Sequence, residues 1–115
     1  MRLFQRSLTE LNNKLLSMLG LCRRAGAMVI GTDLVTKSLP SGRVRLVIYA
    51  DDSSQNTEKK ITDKCSFYGV KCVKVEFQGG EIGQAIGKSG TVCVVGITDS
   101  NFSNKLSTLI SNEAR

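Results

Sequence analysis

A chain of 115 residues fits one domain over 1–115, large enough to bury a core without metal or disulfide support. Its formal charge of +6 and pI near 9.4 favour polyanionic partners over acidic ones, while the lack of Trp and a 5% aromatic content argue against a sheet studded with base-stacking rings. The chain has no histidine and its four cysteines form no Cys-x-x-Cys pair, so neither a zinc site nor a histidine-activated nucleophile is expected, and no cofactor is implied.

In chain order, Arg2 and Arg6 precede the apolar stretch Leu15 to Cys22, and Ala25-Gly26-Ala27 superficially resembles a signal-peptidase site, but the charges of Arg23 and Arg24 between the two are wrong for export. Leu8, Leu11, Leu15, Leu19 and Cys22 recur at steps of three and four, which predicts an amphipathic helix over about residues 9 to 25, opened by Thr9 and stopped by Gly26. Met28 to Gly31 predicts a short strand, followed by a helix that Pro40 and Gly42 end.

The segment Gly31-Thr32-Asp33-Leu34-Val35-Thr36-Lys37 at that junction is the chemically most suggestive one. Thr32 or Asp33 is expected to cap the helix, Gly31 to admit close backbone approach, and the first amides to attract an anion that Lys37, one turn further, could also meet.

Val44 to Ala50 is an apolar run rich in β-branched residues and predicts a buried strand. After the turn at Asp51 to Ser54, a helix starting at Asn56 or Thr57 carries Ile61, Cys65 and Tyr68 on one face and a solvated charged face that includes Glu58, Lys59 and Lys60. Val70 to Phe77 predicts a strand, Glu81 to Ile86 a short helix, and Thr91 to Ile97 the fourth strand. Thr98 or Asp99 caps a last helix whose Phe102, Leu106, Leu109 and Ile110 face inward. The alternation of helices and strands with short connections calls for an α/β fold, a sheet covered by helices on both faces. Each cysteine falls within an apolar pattern, which indicates core thiols in a reduced, cytoplasmic protein, and no stretch is long enough to span a membrane.

Two constellations point away from catalysis. Gly83 to Ser89 resembles a nucleotide phosphate loop, but one residue too few separates its glycines, and it follows a helix and opens a strand, the reverse of the required context. Asp51, Asp52 and Asp99 stand near strand ends yet read as turn formers and caps. By contrast, Gly31 to Lys37 and Gly79 to Thr91 share small residues, open backbone and a lysine. Together they suit a folded RNA whose bent backbone and extruded bases rest against small side chains. Gly87 and Gly90 are expected to let the second loop approach RNA or adopt positive φ angles.

Four blocks, Leu19 to Gly26, Gly31 to Lys37, Ala50 to Thr57 and Phe77 to Lys88, occur in an order that resembles the kink-turn-binding ribosomal protein family of archaeal protein seven-Ae and eukaryotic thirty-e. The likeness covers about residues 9 to 110 and is strongest to the family's small bacterial YlxQ-type branch. It implies a three-layer α-β-α sandwich around a mixed four-stranded sheet, no catalysis, and structured, kink-turn-like RNA as partner, ribosomal RNA among the candidates, with no DNA, no membrane and a monomeric state. It also implies an RNA face made of Gly31, Thr32, Asp33 and Lys37 with Gly87, Lys88, Ser89, Gly90 and Thr91. The chain carries Asp33-Leu34 where kink-turn binders often carry Asn-Glu. The alternatives are an RNA-recognition subunit serving a separate RNA-modifying enzyme, and a protein-interaction module that has lost RNA.

Overall fold

The computed structural model describes residues 2–114, with side chains over residues 12–111. Along the chain come α1 (Arg2–Arg24), β1 (Met28–Ile30), α2 (Thr32–Ser38) continued by a 3-10 turn (Leu39–Ser41), β2 (Leu46–Tyr49), α3 (Gln55–Tyr68), β3 (Lys71–Lys74), α4 (Gly79–Ala85), β4 (Val94–Ile97) and α5 (Ser100–Ala114). The sheet order is β1-β4-β2-β3, with β2 and β3 parallel and β4 antiparallel to both β1 and β2.

Strand alternation divides the interior into two cores. Leu46 and Ile48 of β2 with Val95 and Ile97 of β4 face Leu15, Leu19 and Cys22 of α1, Ile82 of α4 and Leu106 of α5. Val47, Tyr49 and Val94 point the other way, against Val35 of α2, Leu39 and Ile61 and Cys65 of α3. The expected three-layer sandwich with a mixed four-stranded sheet is therefore what the chain forms.

The structure corrects several sequence expectations. α1 begins at Arg2, so Thr9 lies inside it, because no breaker interrupts residues 2–8; the roles expected of Leu8 and Leu11 fall outside the described side chains. The strands are shorter than their apolar runs, since pairing lasts only where a neighbour runs alongside: Val44 stays buried although the ladder starts at Leu46. Tyr68 is exposed, set edge-on against the exposed Phe67 at 4.9 Å between ring centroids, and does not join the Ile61 and Cys65 face. α3 starts one residue early because Ser54 Oγ accepts the Thr57 amide at 3.1 Å. Asp99 caps α5 as expected, its Oδ1 accepting the Phe102 amide at 3.0 Å.

All four cysteines are free. Cys22 Sγ donates to the Ala27 carbonyl at 3.3 Å, and burial, aided by the charge of Asp99, pushes its thiol up to about 11. It is a core residue, not a reactive one. Among the described residues no helix is long and apolar enough to cross a membrane.

Candidate nucleic-acid interface

The register brings the two sequence motifs to one end of the sheet. Ile30 at the end of β1 sits opposite Val95, and Tyr49 at the end of β2 sits opposite both Val94 and Lys74. The segments after β1, β2 and β3 and the loop before β4 therefore emerge side by side. Gly31 ties the first to the last, its amide donating to the Val94 carbonyl at 2.9 Å.

At the start of α2 the cap differs from expectation. Neither Thr32 nor Asp33 caps the helix; Gly31 occupies the cap position with φ 100° and ψ 149°, and no side chain accepts from the first amides. A β-carbon disfavours that backbone, so glycine is needed for the turn from strand to helix. The Thr36 hydroxyl instead donates back to the Asp33 carbonyl at 3.1 Å, and the Asp33 carboxylate is exposed, with Lys60 Nζ of α3 at 3.7 Å. That ion pair adds little stability, but it sets a cation against the one carboxylate of the helix start. Lys60 thus reaches the start of α2 from the solvated face of α3. Lys37 is exposed one turn beyond Asp33.

The second loop is built on α4. Gly87 and Gly90 have φ 76° and 89°, as expected, and Lys88 to Thr91 are exposed. The Lys88 amide donates to the Gly83 carbonyl at 2.8 Å and the Val92 amide to the Gly79 carbonyl at 2.9 Å, so the loop folds back along its own helix. α4 is anchored in turn by Asp52, whose Oδ1 accepts the amide of the buried Gly79 at 2.8 Å in a part-buried hydrogen bond. Asp52→Ala removes this acceptor and is expected to cost about 1–2 kcal/mol, with Asp52→Asn recovering part of it because an amide oxygen still accepts. Urea denaturation of the two variants checks this.

Between the two motifs lies a cleft of about 410 Å³ lined by Arg23, Gly26, Met28, Val29, Ile30, Leu34 and Lys88. It joins Lys88 of the second loop to Leu34 of the first motif. Among the described residues no carboxylate lines it. Of the residues expected at the site only Lys88 lines this cleft; Gly31 shapes the turn beside it, while Thr32, Asp33, Lys37, Ser89, Gly90 and Thr91 do not line it. Sequence reasoning did not single out Arg23 or Leu34, which line the cleft. Leu34 carried a readable signal: the buried stripe of α2 and its 3-10 extension is Val35 and Leu39, four apart, so an adjacent leucine must point elsewhere, and it is 58% exposed.

The model of the ribosomal protein L7Ae/L30e/S12e/Gadd45 family matches residues 13–107, and the chain belongs to that family. It is 46% identical over 93 residues to the RNA-binding protein YlxQ of Bacillus subtilis (strain 168), covering 81% of this chain and 91% of that one. With the RNA-binding protein YlxQ of Enterococcus faecium it shares 38% over 97 residues, 84% of this chain and 91% of the other. A Bacillus halodurans structure described as a protein with unknown function superposes with a TM-score of 0.79 at 40% identity, covering 85% of this chain and 97% of that one. The Giardia lamblia 15.5kD RNA binding protein superposes with a TM-score of 0.73 at 22% identity, covering 91% and 88%, a likeness of fold.

Proposed function

We propose that the protein is a non-catalytic, cytoplasmic binder of structured RNA that grips a sharp bend between the start of α2 and the loop before β4. The observation that carries this reading is the cleft that Lys88 and Leu34 from the two motifs line together with Arg23, with no carboxylate among its described residues. The cations answer crowded phosphates at a bend, and the exposed Leu34 with Ile30 offers apolar contact to a base turned out of the stack. The family and the names of the YlxQ relatives support RNA as the ligand. A kink-turn is the bend this reading favours, held by apolar contact at Leu34 where a carboxylate is more usual, and RNA of the ribosome is a natural source of it. The protein needs no partner subunit to form the cleft, so a monomer is the expected binding unit.

Titration with a kinked RNA and with a straight duplex of equal length, at physiological salt, tests the reading. Preference for the kinked RNA is expected, and equal affinity would overturn it.

Outside the cleft but on the same helix as Leu34, the exposed Lys37 is a further candidate: Lys37→Ala is expected to weaken binding across sequences and to lower the slope of log K against log salt by about 0.7 to 0.9, one phosphate contact. The comparison is Lys71→Ala with Lys105→Ala, on β3 at the far sheet edge and on α5. The double change removes more charge, so a larger loss from it, in titrations at three salt concentrations, would sink a localised site.

A further inference from the structure

A second cleft, of about 390 Å³, lies at the opposite end of β1 and is lined by Gly26, Met28, Val29, Gly42, Arg43, Arg45 and Thr98. It shares Gly26, Met28 and Val29 with the cleft described above, so the two are halves of one groove running along the outer side of β1. β1 is an edge strand. The Gly31 amide and the Ala27 carbonyl bond to Val94 and Thr98 of the β4 segment, so the backbone groups of Met28 and Ile30 face away from β4, toward the open groove.

The charges follow the same line. Lys88 and Arg23 stand at one end, Arg43 and Arg45 at the other, and among the described residues no carboxylate lines either half. Arg43 and Arg45 are exposed, and neither pairs with a carboxylate among the described residues. Asp99, next to Thr98, is engaged with the Phe102 amide. Arg43 follows the turn at Gly42, and Arg45 is fixed through its backbone amide, which donates to the Ile97 carbonyl at 2.7 Å, so both exposed side chains are left to the solvent side.

We infer that this groove is a phosphate track, in which Arg43 and Arg45 hold the sugar-phosphate backbone of an RNA stem leaving the bend gripped at Lys88 and Leu34. The inference rests on the RNA-binding reading above and names the part of the RNA beyond the bend. The three residues of β1 advance about 10 Å, the rise of about three base pairs. Arginine suits the task, since its planar fork meets phosphate oxygens in pairs. Outward amides of an edge strand add donors without sequence preference. An acidic peptide could pair with the same edge. Continuity with the Lys88 cleft favours RNA.

The test uses kinked RNAs whose stems, each in turn, are about four or about ten base pairs long. Wild-type protein is expected to bind the form with one longer stem more tightly. Arg43→Ala with Arg45→Ala is expected to erase that gain, weakening the long-stem RNA about tenfold, lowering its salt slope by about 1.4 to 1.8 and leaving the short-stem RNA unchanged. Thermal melting of the variant checks that the fold is intact, and Arg43→Lys with Arg45→Lys should recover part of the gain. An equal response of wild type and variant to stem length overturns the track and leaves the bend-binding reading standing. Failure of the wild type to bind any of these RNAs overturns both.

Discussion

Gly83→Ala is expected to lower both stability and RNA affinity, while Gly80→Ala on the same short helix is expected to leave binding unchanged and raise stability slightly. A β-carbon at Gly83 collides with the carbonyl oxygen of Gly90, and the Lys88 carbonyl lies 3.5 Å away. Both obstacles are backbone, so no side chain can rotate aside; the loop itself must move, and with it the hydrogen bond from the Lys88 amide to Gly83. Overpacking of this kind costs about 1–3 kcal/mol. Displacing Lys88 from the cleft is expected to weaken RNA binding by about ten- to a hundredfold, the scale of one directed contact. A β-carbon at Gly80 meets nothing within 4 Å, and replacing a helical glycine there contributes about 0.5–1 kcal/mol. Thermal melts and RNA titrations of the two variants decide the matter. Wild-type affinity in Gly83→Ala would show that the loop's position does not govern recognition.

The other large effect separates core from surface among aliphatic residues. Ile48→Ala in β2 empties a fully buried site between the sheet and the α1 layer and is expected to cost about 2–5 kcal/mol. Leu34→Ala in α2 removes a side chain that is 58% exposed, so stability should change by less than about 0.5 kcal/mol while affinity for kinked RNA falls several-fold. Denaturation and titration of both proteins form the check. If Leu34→Ala were as destabilising as Ile48→Ala, Leu34 would be a packing residue and the cleft would lose its apolar contact.

Much of the fold was readable because its signals are local. Leu15, Leu19 and Cys22 mark the inner stripe of α1, and the run from Leu46 to Tyr49 marks a strand covered on both faces. Gly87 and Gly90 announced positive φ. What the sequence did not reveal depends on pairs distant along the chain. The α2 cap is bare because Gly31 is fixed by Val94, not by its own neighbours, and Lys60 reaches Asp33 only because α3 packs beside α2. The cleft needs Arg23, Leu34 and Lys88, three segments that only the β1–β4 pairing brings together. Asp52, read as a turn former, also holds the start of α4.

The place of β4 has a kinetic consequence. The last strand made is an inner strand, inserted between β1 and β2, so closing the sheet joins segments more than sixty residues apart. A nascent chain halted before Val94 has β1 without any hydrogen-bonded neighbour, and its second loop has no strand to lead into. Closing the sheet must therefore wait for β4, and the cleft between α2 and the second loop forms in that same step.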